Sequence, residues 1–203
     1  NLLVAVMGHA GLAMLEVDDE SQVYSYLKKI EASAQHAADL ARQLLAYSGR
    51  GQFLTKRLNM SEVVDEMSDL LAVGLPKNVE LRCQLDNEAP VIEGDPTQLQ
   101  QVVMNLVINA GEAIGPTGGA VKLSTRLVHV TPGYFEDAHH APSQIESQYV
   151  CIEIQDDGQG MDTATLARIF DPFFSTKFTG RGLGLASVLG IVNGHNGALR
   201  VES

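Results

Sequence analysis

Three groups of residues in this chain have the types and spacing needed to bind a nucleotide. In the first, Gln101, Asn105 and Asn109 recur every four residues in a stretch with helical periodicity, and Glu112 follows about one turn later. Asparagine carbonyls are suitable oxygen ligands for Mg²⁺, which takes few protein ligands and completes its shell with phosphate and water. Taken alone, however, such a polar stripe fits an ordinary solvated helix face better.

The second group is the segment YVCIEIQDDGQGMD, residues 149–162. Apolar residues alternate along its first half, which indicates a strand, and Asp156 is in phase with the apolar face whereas Asp157 is not. A carboxylate in that position needs a partner, and the exocyclic amine of a nucleotide base is a donor of the right kind. Gly158 and Gly160 would let a flat ligand approach the backbone closely. A strand that ends in a common Asp-Gly turn explains the same residues equally well.

The third group is a glycine-rich run, in which Gly180, Gly182 and Gly184 precede an apolar helical pattern. Free backbone N–H groups at the start of a helix suit a phosphate, and Lys177 and Arg181 would add positive charge nearby. The spacing matches neither the P-loop nor the dinucleotide-binding glycine pattern. A flexible turn that caps a helix is therefore an equally good interpretation of this run alone.

Bulk composition limits the classes of protein to which this chain can belong. Its 203 residues are 45% hydrophobic, which is enough for a sizeable core, and its formal net charge is −11. An acidic chain lacks the basic face that nucleic acid requires, so no nucleic-acid partner is expected. No apolar run reaches the roughly 18 residues of a membrane span, so we expect no membrane contact by this segment. The expected location of this portion is cytoplasmic, with any membrane anchor of the parent protein lying upstream.

The two cysteines, Cys83 and Cys151, both lie in strand-like runs. Neither has a second ligand-type residue beside it, which argues against a metal site. We therefore expect them to be small buried hydrophobic side chains in a reducing compartment, without a disulfide.

Residues 1–50 show a heptad pattern on two successive helical stretches joined by a short turn. Asp19 with Gln22 is a plausible capping box for the second helix, and residues 48–53 have the composition of a linker. A two-helix hairpin exposes too much apolar surface to stand alone, so two copies are expected to pair as a dimeric four-helix bundle. Packing of the hairpin on the downstream domain is the alternative. The predicted seam consists of Leu3, Val6, Ala10, Ala13, Val17, Val23, Leu27, Ile30, Ala34, Ala37, Ala41 and Leu44.

Residues 51–203 alternate between strand and helix patterns, which predicts an α+β layered domain. The clearest helix follows Asp95, which is the expected N-cap, with Pro96 in the first turn and Gln98 closing a capping box. Further elements are predicted as strands at 79–86, 90–95, 121–130, 149–156 and 198–203, and as helices at 61–73 and after Gly184.

The order of these groups resembles that in sensor histidine kinases, whose ATP-binding domains belong to the GHKL superfamily. NLVINAGEAI looks like their N box, DDGQGM like their G1 box, FDPFFSTK like their F box and GRGLGLA like their G2 box. Upstream, NLLVAVMGHAGLAML and AADLARQLLAYSGR look like the dimerisation and phosphotransfer hairpin of the same kinases. The resemblance covers nearly the whole chain. It implies a dimerisation and phosphotransfer hairpin at 1–50 and an ATP-binding catalytic domain at 51–203, built as a GHKL-type α/β sandwich with a mixed sheet.

The resemblance also implies roles for individual residues in binding ATP with Mg²⁺. Asn109 would hold the metal ion, and Asp156 would accept a hydrogen bond from the adenine amine. Phe173 and Phe174 would hold the base of a lid, and Lys177 would meet the phosphates together with the backbone of the glycine-rich run. The full expected nucleotide-binding set is Asn105, Asn109, Glu112, Asp156, Gly158, Gly160, Met161, Phe174, Thr176, Lys177, Gly180, Arg181, Gly182, Leu183, Gly184 and Leu185.

The sequence departs from the family pattern at both ends. The family's phosphoacceptor histidine would lie a few residues before Asn1, so we expect a segment of a longer kinase that does not phosphorylate itself. His9, about three turns beyond that place, and His36 on the second helix are weaker substitutes. The family usually adds another strand beyond the position of Ser203, so the domain is expected to lack its last strand.

The expected function is that of a protein-histidine kinase core. The γ-phosphate of ATP would pass to a histidine on the hairpin and then to an aspartate on a response-regulator receiver domain. Two alternatives remain open from the sequence. A GHKL ATPase of the chaperone or mismatch-repair type would share the nucleotide motifs but not the heptad hairpin. A non-catalytic dimerisation or interaction module would share the hairpin and the fold but have a degenerate pocket.

Overall fold

The computed structural model describes residues 2–47, 54–86, 91–131, 133–177 and 182–203. The chain divides into two compact units, residues 1–45 and 46–203. The predicted linker at 48–53 lies outside the described residues. The helices and strands, in chain order, are α1 (Leu2–Leu15), α2 (Gln22–Tyr47), β1 (Lys56–Asn59), α3 (Met60–Gly74), β2 (Val79–Gln84), β3 (Val91–Gly94), α4 (Pro96–Ile114), β4 (Gly119–His129), β5 (Gln148–Asp156), α5 (Thr163–Leu166) and α6 (Gly184–Gly194).

The first unit contains the predicted pair of helices, α1 and α2. Among its side chains that the structure describes, Ala10 and Ala34 are buried, with 5% and 6% of their surface exposed. On the predicted seam, Leu3, Ala13, Val17 and Leu27 are partly buried, whereas Val23 and Ile30 are about half exposed. A groove of about 400 Å³ runs between the helices and is lined by Leu3, Val6, Lys29, Ile30, Ser33, Ala34 and Ala37.

The start of α2 differs from the predicted capping box. Helix α2 begins at Gln22, and the side chain of Ser21 accepts a hydrogen bond from the Tyr24 N–H at 3.1 Å. Ser21 is therefore the capping residue, because a cap must lie just before the first helical residue to reach an N–H two or three positions on. The carboxylate of Asp18 accepts the Glu20 N–H at 3.0 Å within the preceding turn, and the prediction of an Asp19 cap is wrong.

The second unit contains two sheets. Strands β1 and β3 form an antiparallel pair, and β2, β4 and β5 form a three-stranded sheet with β4 in the centre. Strand β2 runs parallel to β4, whereas β5 runs antiparallel to it, with Val121 opposite Asp156. The predicted α+β architecture with a mixed sheet is confirmed.

The core of this unit lies between helices α3 and α4 and the three-stranded sheet. Its fully buried side chains alternate along β4 and follow helical spacing on both helices, as amphipathic elements require. One polar pair lies within it: the hydroxyls of Ser61 and Thr125 are 2.7 Å apart, and Ser61 also donates to the Asp86 carbonyl at 2.7 Å. The largest fully buried core residues are Met60, Val64, Leu71, Val103, Val107, Val121 and Leu123.

Helix α4 begins where the sequence predicts. Asp95 caps it by accepting N–H groups from Thr97 at 3.0 Å and Gln98 at 3.3 Å, and Pro96 occupies the first turn. The predicted capping box is incomplete, however, because the Gln98 side-chain oxygen is buried without a hydrogen-bond partner. The return bond would require that oxygen to accept the Asp95 N–H, which instead donates to the Nε2 atom of His195 at 3.0 Å.

The end of the chain also differs from the prediction. Residues 198–203 contain an isolated bridge between Leu199 and His140 and no longer strand, so the predicted final strand is wrong. The side chain of Asn196 accepts the Ser143 N–H at 3.1 Å and thereby ties the β4–β5 connection to the turn that follows α6. Within the part of the chain that the structure describes, no helix is long and apolar enough to cross a membrane.

Candidate functional site

The polar stripe of α4 faces helix α6. Gln101 donates to the Ser187 hydroxyl at 3.2 Å, and Asn105 donates to the Gly184 carbonyl at 3.4 Å. The later residue on α4 contacts the earlier residue on α6, so the two helices run antiparallel. An apolar cluster of Val102, Val188 and Ile191 lies beside these bonds. The stripe is therefore largely an interhelical contact, and the simpler interpretation of a solvated face is wrong for Gln101 and Asn105.

Asn109 lies one turn beyond Asn105, at the end of the contact with α6. A side-chain carbon added to Gly184 would stand 3.7 Å from the Asn109 amide nitrogen, so the start of α6 lies close to this side chain. Asn109 is half-buried, and among the described residues its amide makes no hydrogen bond. Its carbonyl oxygen is available to a ligand, which fits an oxygen donor for Mg²⁺.

Glu112 and Lys177 form an ion pair across the candidate site. Glu112 is on α4, one turn beyond Asn109, and Lys177 is the last residue of the F-box motif. About half of the Glu112 side chain and a third of the Lys177 side chain are exposed, so solvent screens their attraction. Lys177, which the sequence predicts to contact the phosphates, is thus paired with the Glu112 carboxylate in the structure without nucleotide.

The structure corrects the expected environment of Asp156. Asp156 is the last residue of β5, and its side chain is exposed, because it lies past the apolar core and not inside it. One carboxylate oxygen accepts the Gly158 N–H at 2.8 Å, and the other accepts no hydrogen bond among the described residues. The premise of a buried carboxylate is wrong, but an unsatisfied acceptor remains at the predicted position.

Asp157 has a structural role that the sequence analysis missed. Its carboxylate accepts the Ala120 N–H at 3.2 Å, next to the start of β4. This bond holds the G1 motif to the neighbouring strand. The side-chain alternation predicted that Asp157 faces away from Asp156, but the register of β4 against β5, which sets its partner, is not readable from spacing alone.

The glycines of the G1 motif let this loop pack on the end of α4. A side-chain carbon on Gly158 would stand 2.8 Å from the Ala113 carbonyl oxygen, and the Gln159 N–H donates to that oxygen at 3.2 Å. Gly160 has a φ of 67°, which a residue with a side chain rarely adopts. Met161 is partly exposed, and its N–H donates to the Ser203 hydroxyl at 2.6 Å. The loop that carries Asp156 therefore meets α4 one turn beyond Asn109.

The F-box and G2 motifs meet through their backbones. The Phe173 N–H donates to the Gly182 carbonyl at 2.8 Å, and both residues have positive φ, 68° and 63°. The Phe173 ring is 65% exposed, whereas the Phe174 ring is half-buried beneath the Arg168 guanidinium at 4.3 Å. Thr176 is exposed, and Gly180 and Arg181 lie outside the described residues.

Helix α6 starts without a side-chain cap. Leu183 occupies the N-cap position and makes no capping bond, since its side chain is apolar and 98% buried. Gly184 and Leu185, both half-buried, begin the first turn, whose N–H groups have no partner within the helix. Unsatisfied N–H groups and the positive end of the helix dipole suit a phosphate.

The cysteines lie apart from these motifs. Cys151 is half-buried and Cys83 is exposed, so the prediction of a buried side chain is wrong for Cys83. Both thiols are free, and desolvation raises the pKa of each, which disfavours the reactive thiolate. Across the described residues, no three His, Cys, Asp or Glu side chains are placed to hold a metal ion.

Comparison with known proteins places this arrangement in a family. The family described as histidine kinase-, DNA gyrase B- and HSP90-like ATPase matches residues 94–203. The sensor kinase CckA of Brucella abortus (strain 2308) is 32% identical over the whole of this chain, which spans 21% of that relative's length. The chain thus spans about a fifth of the length of that curated relative.

Two solved structures share the fold. Full-length ShkA in complex with AMPPNP superposes with a TM-score of 0.68 at 21% identity, covering 95% of this chain and 39% of ShkA. Histidine kinase ThkA in complex with the response regulator TrrA gives a TM-score of 0.50 at 22% identity, covering 96% of this chain and 52% of that one. At these identities the likeness concerns the fold.

The match over residues 94–203 includes α4, the G1 loop (the loop after β5 that carries the G1 motif) and α6, the three elements that meet at the candidate site. The helical pair and the mixed sheet agree with the fold of ShkA. The chain belongs to the histidine kinase-, DNA gyrase B- and HSP90-like ATPase family.

Proposed function

We propose that this chain binds ATP with Mg²⁺ where α4, the G1 loop and the start of α6 meet, and serves as the catalytic core of a protein-histidine kinase. One observation carries the proposal. The oxygen donor of Asn109, the free acceptor of Asp156 and the uncapped N–H groups at Gly184 belong to three motifs far apart in sequence. All three meet one end of α4: the loop that follows Asp156 bonds to the Ala113 carbonyl, and Gly184 lies beside Asn109.

The roles of the residues follow from their chemistry. The carboxylate of Asp156 accepts a hydrogen bond from the adenine amine, and Gly158 and Gly160 leave room for the ring. Asn109 provides an oxygen ligand to Mg²⁺, which when bound neutralises charge on the phosphates. The N–H groups of the first turn of α6 hold the phosphate oxygens, and Lys177 adds a positive charge once it leaves Glu112. The chain's contribution to phosphoryl transfer is thus positioning and charge neutralisation.

The first unit supplies the dimer in this proposal. Val6, Val23 and Ile30 lie on the predicted seam and are 41–52% exposed, which is a large apolar stripe for a two-helix unit. A second copy would bury that stripe in a four-helix bundle. His9 is exposed on α1, and the side chain of His36 lies outside the described part, so neither has an observed feature that selects it as phosphoacceptor.

The whole protein would relay the phosphoryl group in the cytoplasm. We propose that it passes from ATP to a histidine of the hairpin and then to an aspartate of a response-regulator receiver domain. The complex of ThkA with TrrA shows that a protein of the same fold binds a response regulator. Against a chaperone or mismatch-repair ATPase, the paired helices α1 and α2 precede the nucleotide motifs, as expected for the kinase type.

The adenine contact provides the direct test. We expect Asp156→Asn to weaken ATP binding about tenfold or more, because a hydrogen bond to a charged group contributes about 1.5–3 kcal/mol. Calorimetric titration with ATP and with inosine triphosphate, which lacks the amine, isolates that contact. The native chain should prefer ATP, and the variant should lose most of the preference.

Asp157→Asn is the matched control for that experiment. It removes a neighbouring carboxylate that is bonded to Ala120, and it should lower stability while keeping the ATP preference. No heat with Mg²⁺-ATP in the native chain would instead favour a non-catalytic interaction module. Equal loss of preference in both variants would place adenine elsewhere.

The ion pair of Glu112 and Lys177 leads to a prediction of tighter nucleotide binding, in contrast to the loss expected for Asp156→Asn. We expect Glu112→Gln to tighten nucleotide binding by about two- to threefold at low salt, because Lys177 no longer has to exchange a carboxylate for a phosphate. The gain should shrink as salt screens the charges. Glu80→Gln, which removes the exposed partner of Arg82 on β2, should leave affinity unchanged. Weaker binding by Glu112→Gln that depends on Mg²⁺ would mean that Glu112 helps to hold the metal ion.

A further inference from the structure

His195 joins the two helices that form the candidate site, at their end remote from it. Its Nε2 accepts the Asp95 N–H at 3.0 Å, and its Nδ1 lies 2.8 Å from the Ile191 carbonyl oxygen. Because Nε2 accepts a bond, the proton of the neutral ring is on Nδ1 and is donated to Ile191. One ring nitrogen thus bonds within α6, and the other bonds to the residue that caps α4.

The surroundings of the ring are built for this contact. A side-chain carbon on Gly94 would stand 3.1 Å from the ring carbon Cδ2, so a larger residue there would displace the ring. Asp95 is itself buried and caps α4 with its carboxylate, so its backbone position is closely tied to the first turn of that helix. The His195 bond therefore acts on the rigid start of α4.

Three polar contacts connect α4 to α6 at successive levels. His195 bonds to Asp95 at the remote end, Gln101 bonds to Ser187 in the middle, and Asn105 bonds to Gly184 at the site. Helix α6 has 11 residues and is therefore about 16 Å long. A rotation of about 5° at the remote end would move its first turn by about 1.4 Å, enough to misplace donors that must meet phosphate oxygens.

We propose that His195 is a positioning residue for nucleotide binding: its Nε2 bond to Asp95 sets the angle of α6 against α4 and so places the first turn of α6 beside Asn109. This inference rests on the proposed function for its binding readout. It assigns the effect to the Nε2 bond between the helices and not to the Nδ1 bond within α6.

Two amide variants separate the bonds. In His195→Gln the amide reaches about as far as Nε2 and can accept from Asp95, whereas in His195→Asn it reaches only about as far as Nδ1 and can bond to Ile191. We expect His195→Gln to keep ATP affinity within about twofold and His195→Asn to lose about fivefold or more, the equivalent of one hydrogen bond. Ser61→Ala, which removes the buried hydroxyl pair with Thr125, is the control for general loss of stability and should keep native affinity.

Amide hydrogen exchange on the nucleotide-free chain gives a second readout. Ser187 is fully buried one turn along α6 from the site, and its N–H is bonded to the Leu183 carbonyl at 2.9 Å. Exchange at Ser187 and Val188 should be faster in His195→Asn than in His195→Gln or Ser61→Ala.

The two readouts distinguish this inference from the proposed function. If the native chain does not bind nucleotide, the proposed function fails, and the exchange comparison still decides the role of His195. Equal exchange at Ser187 in the two His195 variants would overturn the inference, as would equal affinities in a chain that binds ATP.

Discussion

Replacing Gly182 by alanine is expected to lower the affinity of this chain for ATP by about 30-fold or more, since it displaces the backbone that, in the proposed function, leads into the phosphate-binding turn and costs at least one charge-assisted contact. Gly182 has a φ of 63°, in the left-handed region that costs a residue with a side chain about 1–2 kcal/mol. An added side-chain carbon would also stand 2.6 Å from the Phe174 nitrogen and closer still to the Phe173 carbonyl carbon. Both neighbours are backbone atoms and cannot rotate away, so the junction of the F-box and G2 motifs must open.

Gly115→Ala separates the clash from the strain. Gly115 follows α4 with a φ of 73°, but an added carbon there would have no atom within 4 Å. Gly115→Ala therefore has a conformational cost of its own, at a ψ of −163° that only glycine readily adopts, without the steric overlap. Thermal unfolding should show a loss of stability in both variants, and calorimetric titration with ATP should show a loss of affinity in Gly182→Ala alone. Similar affinities for the two variants would contradict a role of the Gly182 junction in the site.

The largest loss of stability is expected for Leu71→Ala, at about 2–5 kcal/mol of the free energy of unfolding. Leu71 is fully buried between α3 and the sheet, in a core that contributes seven of the largest fully buried side chains. Removing three carbon atoms loses the favourable free energy of transferring them from water to the core. It also leaves a cavity that the close-packed surroundings fill only in part.

Leu70 is the matched control, because it is the same residue type one position earlier on α3. Its side chain is 61% exposed, so Leu70→Ala should change the free energy of unfolding by less than about 0.5 kcal/mol. Urea denaturation followed by circular dichroism measures both variants. A loss from Leu70→Ala as large as that from Leu71→Ala would mean that α3 faces the core with a different side.

The parts of the fold that could be predicted are those whose signals are local. Asp95 followed by Pro96 marks the start of α4 because capping and the fixed φ of proline act within one turn, and that start is confirmed. The strands β4 and β5 could be predicted because one face of each packs against the core and their apolar residues alternate.

The parts that could not be predicted depend on partners far along the chain. Asp156 alternates in phase with buried residues, yet it is exposed, because the core ends before the strand does. Residues 198–203 have strand-like composition, but a strand needs a neighbour with free hydrogen-bonding groups, and here only Leu199 finds one in His140. The interhelical bonds of Gln101, Asn105 and His195 likewise depend on how α4 and α6 pack, which periodicity does not determine.

The parallel pairing of β2 with β4 has a consequence for how the chain folds. Val79 pairs with Gly119, so this contact closes a loop of about 40 residues that includes β3 and all of α4. Ordering that loop costs conformational entropy, which must be offset before β4 can join the sheet as its central strand. Within the loop, α4 offsets this cost by packing on α3. Pairing of β2 with β4 therefore requires that α4 has already formed. During synthesis from the N-terminus, the helix that carries the asparagines can dock before α6 has left the ribosome.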